Sequence, residues 1–341
     1  MTIFLTAKMK LNSGKFFNKV YDKLNEHDEI YFDVTHAFRF IPLFATILFN
    51  YSEFMKKTTL KQVLYGAFEA RDQVANVAPI FDLTNIIRLQ KLTEAAAAFE
   101  KYGKMSEASN IFRGMKVDGH VRTFCSTAAK LEQRLSINDM DWIRDGNNYI
   151  SKTGFHRIED EHIDKPSMEL LDRLYTRMVC DANAEHTGHF QQQNTPGNIL
   201  KAIEWDLNYD MLPQAVTMLQ EYIKEFFVEK FPKIRETIPE IDRPDRDEDR
   251  KEFVSKILNI SDTDINADNF NNILATYKKL AKDILEKDLI KKFRPKFQSL
   301  TTIRNSINHA HPSRENDTKK LFNSFKRRVQ KIYEELLPDL K

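Results

Sequence analysis

Ile30-Tyr31-Phe32-Asp33-Val34-Thr35-His36-Ala37-Phe38-Arg39, followed closely by Pro42, contains the change of pattern that decides the fold. Ile30 to Thr35 is a short run of Ile, Tyr, Phe, Val and Thr with the composition of a strand. From Ile41 to Met55 the apolar residues return at helical intervals. A strand that opens into a polar loop and re-enters as a helix is the beginning of a βαβ unit.

Working outward, Thr2 to Thr6 (TIFLT), Leu60 to Tyr65 (LKQVLY) and Val77 to Leu83 (VAPIFDL) have the same strand character, with helical patterns over Lys15 to Asn25 and Asn85 to Tyr102. These segments predict an α/β unit with a parallel sheet. After Gly103 the strand pattern fades. Val121 to Leu135, Ser167 to Cys180, Asn198 to Phe231, Lys251 to Leu258, Asn269 to Leu285 and Lys319 to Leu337 have helical spacing, the last with Leu321, Phe322, Phe325, Val329, Ile332, Tyr333 and Leu336 on one stripe. The second half reads as a helical bundle, so the fold class is α+β. Phe190 to Asn198 (FQQQNTPGN) is expected to be a loop, and Ile238 to Arg250 (IPEIDRPDRDEDR) a solvated insertion between helices.

Composition agrees. With 341 residues, 41% hydrophobic and 30% charged, the chain is large enough for two packed domains and too apolar for a disordered tail. No apolar run approaches the roughly 18 residues of a membrane span. The stretch from Met1 to Lys10 lacks the form of a signal peptide, so a cytoplasmic protein with no membrane partner is expected. Cys125 and Cys180 are too few for a disulfide framework or a four-thiolate zinc site. Only 9 glycines and 11 prolines punctuate the chain, which favours helix over turn-rich architecture. The net charge of +2 is unevenly spread: Lys278 to Lys341 holds 17 Lys and Arg against 8 Asp and Glu, leaving the remainder acidic. A basic end suits a polyanion, although lysines and arginines also decorate the solvated faces of helices.

Two constellations carry chemistry. In open α/β sheets ligands sit beyond the carboxyl ends of strands, near the free N–H groups of the next helix, which places Thr35, His36 and Arg39 to meet an anion. The alternative is a helix cap at Thr35 or His36 with Arg39 paired to Asp33. No Walker or dinucleotide glycine pattern is present, so an ordinary nucleotide cofactor is not expected.

The second constellation is Arg304-Asn305-Ser306-Ile307-Asn308-His309. Arg157 and His162 repeat the Arg-to-His spacing, but among carboxylates that would repel RNA. Arg304 and His309 lie in the basic end, interleaved with two asparagines. On a helix, Arg304, Asn305, Asn308 and His309 share one polar arc and Ile307 turns away. Such a set suits metal-free RNA cleavage: His309, with an ordinary pKa of about 6.5, can shuttle protons, and Arg304, always charged, can stabilise the phosphorane. Asn305 and Asn308 can donate to phosphate oxygens or orient the imidazole. The alternative is an Asn/His hydrogen-bond network capping a bundle helix. His311 and Ser306 read as bystanders. His186, His189 and Cys180 lack zinc spacing on a common helix face, and no other metal site is expected. Trp205, Tyr209 and Tyr222 read as core, and a Ser/His/Asp hydrolase has no glycine elbow to support it.

Taken together, these residues resemble the CARF-HEPN ribonucleases that accompany type III CRISPR systems. Ile3 to Thr6 (IFLT), Asp33 to Arg39 (DVTHAFR), Tyr65 to Ala70 (YGAFEA) and Ile80 to Asn85 (IFDLTN) resemble the sensor half in order and spacing, and Arg304 to His309 resembles the R-x4-H motif of the HEPN half. The resemblance implies a CARF-like, Rossmann-like sensor over residues 1–110, a helical linker region over 111–190 and an all-α HEPN nuclease domain over 191–341. It implies a homodimer in which a cyclic oligoadenylate, bound through Thr35, His36 and Arg39, activates cleavage of single-stranded RNA at a composite site of Arg304, Asn305, Asn308 and His309. No cofactor beyond that allosteric activator is implied. Family sensors usually open with a further strand and loop, so this one reads as shortened, and their usual glycine after the histidine is Ala37 here. Two other readings stand beside this one: a non-catalytic RNA- or partner-binding helical protein with a decayed sensor, and a HEPN toxin controlled by a partner protein.

Overall fold

The computed structural model describes residues 13–35, 41–113, 119–149, 164–178, 190–191, 193–239, 248–308 and 318–341. The chain divides into two compact units, Met1–Glu94 and Ala95–Lys341, and among the described residues it is mostly helical with one small sheet.

The first unit comprises α1 (Ser13–Tyr21), β1 (Glu29–Asp33), α2 (Ile41–Lys56), β2 (Thr59–Gly66), β3 (Ile80–Asp82) and the start of α3 (Thr84–Tyr102). The sheet order is β1-β2-β3. β1 and β2 pair in parallel through the crossover of α2, as the pattern around Asp33 predicts. Ile30, Ala45, Leu48 and Phe49 form the core beneath them, with Phe17, Tyr21, Phe32 and Leu60 packed on its margin. The expected strand Thr2 to Thr6 lies outside the described residues.

The third strand corrects the all-parallel expectation: β3 runs antiparallel to β2, with Leu64 opposite Asp82 and Gly66 opposite Ile80. A parallel return needs a crossover of about a dozen residues or more, usually a helix. Here the connection folds into its own hairpin. The Asp72 N–H bonds the Val77 carbonyl at 2.9 Å and the Ala67 N–H bonds that of Pro79 at 2.9 Å. Asp72 Oδ1 accepts from the Val74 and Ala75 N–H groups, and Asn76 turns the chain with φ 51°.

The second unit begins within α3 and contains α4 (Ser106–Arg113), α5 (Gly119–Ser136), α6 (Met140–Arg144), α7 (Lys165–Met178), α8 (Pro196–Asn208), α9 (Leu212–Lys230), α10 (Pro232–Thr237), α11 (Glu248–Asn259), α12 (Asp262–Asn266), α13 (Ile273–Thr276), α14 (Lys278–Leu285), α15 (Asp288–Asn308) and α16 (Thr318–Leu340). The single helix expected from Asn198 to Phe231 is two, α8 and α9. Asp210 between them adopts φ 60°, and Pro213 sits in the first turn of α9, where a missing N–H costs nothing. The apolar pattern continues through the corner because α8 and α9 both face the core, which hides the break from periodicity.

α15 has no counterpart among the expected helices. Its interior Pro295 reads as a stop in sequence, yet Pro295 is exposed while Ile290, Phe293, Phe297, Leu300 and Ile303 form a buried stripe. The Ile238–Arg250 segment, expected to be solvated, is anchored at both ends: Ile238 is buried, and Arg250 is buried with its Nε donating to the Ile238 carbonyl at 3.0 Å.

Candidate functional site

The carboxyl end of β1 is closed by side chains. Asp33 Oδ1 accepts the Thr35 N–H at 2.8 Å, a local turn that Asp favours because its short carboxylate reaches two residues ahead. The Thr35 hydroxyl oxygen accepts the Gly66 N–H at 2.7 Å. A Cβ on Gly66 would stand 3.0 Å from Thr35 Cγ2 and 3.1 Å from Oγ1, so the glycine permits the approach. The same device recurs across the sheet. Asp82 Oδ1 accepts the Thr84 N–H at 2.9 Å and the Thr84 hydroxyl besides, while Thr84 Oγ1 accepts the Val63 N–H at 3.0 Å. The two Thr84 bonds hold the Asp82 carboxyl below its usual range. DVT at 33–35 and DLT at 82–84 are therefore one local structure used twice, each threonine hydroxyl taking an N–H of β2.

Of the predicted ligand-binding residues, Thr35 stands at this carboxyl edge, its hydroxyl oxygen occupied by Gly66; His36 and Arg39 lie outside the described residues. Beside the edge is a pocket of about 240 Å³ lined by Phe32, Val34, Phe49, Val63, Leu83 and Ile86 among others, at the starts of α2 and α3. Its walls are apolar and suit a flat or aliphatic group better than a free anion.

The second site is the carboxyl end of α15. Phe293 packs against Phe226 and Phe227 of α9 at ring-centroid distances of 6.0 and 5.0 Å, and Gln220 Nε2 of α9 donates to Thr301 Oγ1 at 2.9 Å. The two helices thus run antiparallel. α16 also runs antiparallel to α15: Lys292 pairs with Asp339 and Lys296 with Glu335, and Arg328 Nη2 donates to Ser299 Oγ at 3.0 Å. Phe293, Phe297, Leu300 and Thr301 precede Arg304 at helical intervals, so Arg304 emerges from the stripe that faces α9. It is half-buried, and its Nε is buried with no hydrogen-bond partner.

Asn305 and Asn308 are exposed beside it on the last turns of the helix. Ile307 is half-buried rather than core, and Ser306 bonds back to the Thr302 carbonyl at 2.8 Å. His309 and His311 lie outside the described residues, as do His186, His189 and Cys180. Arg304 thus stands with Asn305 and Asn308 at one helix end, with its stem on the core side of the expected polar arc.

Much of the basic end is paired within the protein. Lys278 and Lys282 both reach Asp268, at 2.8 and 2.9 Å; Arg294 reaches Asp262 at 3.0 Å, and Lys326 pairs with Asp210. These charges hold helices together at their rims, where each contributes little on its own. Trp205 and Tyr222 are buried, Trp205 against the rings of Phe99, Phe190 and Tyr209. Burial pushes the Cys125 thiol up to about 12, which keeps it protonated and inert. Among the described residues no three His, Cys, Asp or Glu gather to hold a metal ion, and no helix is long and apolar enough to cross a membrane.

Sequence reasoning included Gly66 and Thr84 only within YGAFEA and IFDLTN, without a role for either, and missed Gln220, Thr301 and Asn259, which bond one another where α9, α11 and α15 meet. A signal existed for Gln220: it occupies a position of α9 flanked at helical intervals by Val216, Ile223 and Phe227, all buried, where an amide is out of place unless something needs it.

No family model matches the chain. Over 87 residues it is 32% identical to CRISPR-associated protein MJ1674 of Methanocaldococcus jannaschii, a match that covers 26% of this chain and 14% of that protein.

Proposed function

We propose that this chain is a CRISPR-associated, metal-independent endoribonuclease that cuts single-stranded RNA where the HEPN-type segments of two copies meet, and that a cyclic oligoadenylate bound at the CARF-like unit switches it on. The likeness to a CRISPR-associated protein supports the setting. The observation that carries the chemistry is Arg304: a guanidinium rooted on the core side of α15, its Nε shielded from water, beside two exposed asparagines at the end of the helix.

In this reading the ribose 2′-oxygen attacks the adjacent phosphorus, and the 2′-O–P bond forms as the P–O5′ bond breaks. His309 accepts the 2′-OH proton, and the His309 of a second copy supplies a proton to O5′. Arg304 and the amides of Asn305 and Asn308 stabilise the charge that gathers on the phosphoryl oxygens. Two-fold symmetry doubles a modest donor set around one phosphate. In the sensor, His36 and Arg39 bind the activator, and Thr35 ties the carboxyl end of β1 to β2.

The test is labelled single-stranded RNA incubated with the protein in EDTA, with and without cyclic oligoadenylates of several ring sizes. Ligand-stimulated cleavage, lost in Arg304→Ala and His309→Ala, is the expected result. No cleavage under any ligand overturns the enzyme, and cleavage surviving either substitution overturns the site. One observation favours a second reading, a non-catalytic RNA-binding protein with a decayed sensor: the Thr35 hydroxyl oxygen already has a backbone partner. That reading predicts salt-sensitive RNA binding, unchanged in His309→Ala, and no products.

A further inference from the structure

We propose that Gln220 is the residue that positions Arg304: its carboxamide oxygen is the acceptor for the Arg304 Nε–H when the guanidinium engages phosphate. The proposal rests on the ribonuclease reading of Arg304 for its purpose, but the pairing can be measured without catalysis.

Three helices contribute to it. Gln220 of α9 is 2% exposed. Its Nε2 donates to Thr301 Oγ1 at 2.9 Å, and Thr301 Oγ1 stands 3.1 Å from both Asn259 Oδ1 at the end of α11 and the Phe297 carbonyl of its own helix. A hydroxyl has one proton. Because Thr301 gives it to one of those two oxygens, its lone pair must take a proton from Gln220, which fixes the amide nitrogen toward Thr301 and turns the amide oxygen away. That oxygen, Oε1, is buried without a partner, and so is Arg304 Nε.

One orphan acceptor and one orphan donor are thus left on facing helices. A helical side chain leans toward the N-terminus of its helix. Since α9 and α15 run antiparallel, Gln220 leans to the level of Arg304, and Arg304 leans back to the level of Thr301. Each unmet buried group carries a desolvation penalty, which a bond between the two would remove. The guanidinium would then be held by Nε from behind, with its two Nη groups free to fork onto a phosphate.

The experiment compares the full-length wild type with Gln220→Met, which keeps the length and removes both polar atoms, and Gln220→Glu, which keeps an acceptor. The first readout is the arginine Nε–H resonance assigned through Arg304→Lys, recorded with an uncleavable 2′-O-methyl oligoribonucleotide. A slowly exchanging Arg304 Nε–H is expected in the wild type and in Gln220→Glu, and fast exchange in Gln220→Met. The second readout is RNA cleavage: Gln220→Met should lose about 10- to 100-fold in kcat with KM within a few-fold, because a misaimed group costs the transition state most, and Gln220→Glu should recover most of it. Equal exchange in wild type and Gln220→Met overturns the pairing, and an altered resonance with unchanged kcat overturns the positioning role. A wild type that cleaves nothing overturns the ribonuclease reading, and the exchange rates then decide the pairing by themselves.

Discussion

The Gly66 N–H donates to Thr35 Oγ1 across the carboxyl ends of two parallel strands, and the glycine has no side chain because Thr35 stands where one would go. Thr35 and Gly66, 31 residues apart in the chain, are therefore two halves of one contact. Thr35 ties the carboxyl end of β1 to that of β2.

Substitution at Gly66 should expose that dependence. Gly66→Ala forces a Cβ to within 3.0–3.1 Å of Thr35 and should cost about 1–3 kcal/mol as an overpacked contact. Thr35→Val keeps the shape but leaves the Gly66 N–H without its acceptor, a loss of similar size. Thr35→Ser should be close to neutral. Urea unfolding of the three variants checks the order.

Arg304→Met should separate stability from activity. A buried Nε without a partner contributes nothing to the fold and carries a desolvation cost, so the variant should melt no lower than wild type while losing RNA cleavage. A melting temperature several degrees below wild type would assign Arg304 a structural role instead.

Asp206 gives the fold a pH dependence. The residue is 0% exposed on α8, neither carboxylate oxygen has a hydrogen-bond partner, and burial lifts its carboxyl from 3.8 to about 8. Between those values the folded chain holds a proton that the unfolded chain has released. Its contribution is fully present below pH 3.8 and is lost as the pH rises through about 8, with a limiting slope of about 1.4 kcal/mol per pH unit. Chemical denaturation at pH 5, 6.5 and 8 should show wild type losing stability relative to Asp206→Asn, which has no proton to lose.

Asn198 clasps the glutamine-rich loop. Its Oδ1 accepts the Gln191 N–H at 2.8 Å, and its Nδ2 lies 3.0–3.1 Å from the carbonyls of Arg144, Gln191 and Gln193. Asn198→Ala should cost about 1–3 kcal/mol for groups left unmet. Asn198→Asp should cost more, since a carboxylate would face three carbonyl oxygens. Melting curves of both variants, with hydrogen exchange at the Gln191 amide, report the loss.

What the sequence alone determined was whatever depends on short-range pattern. A parallel pair of strands around Asp33, helices over 41–55 and 85–102, and a helical second half follow from periodicity, because burial of one face repeats every two or 3.6 residues whatever the partner. The segment at Arg304 stood out in the sequence because Arg304, Asn305 and Asn308 fall close together, and the structure places those three on the last turns of α15. What only the tertiary structure decided depends on groups far apart in the chain. The direction of β3 was set by a hairpin whose residues 71–76 look like any polar loop. The corner at Asp210 hid inside a continuous apolar pattern, and α15 hid behind Pro295. Gln220 and Thr301, eighty-one residues apart, meet because two buried stripes pack antiparallel, and only that packing brings the amide to the helix that carries the arginine.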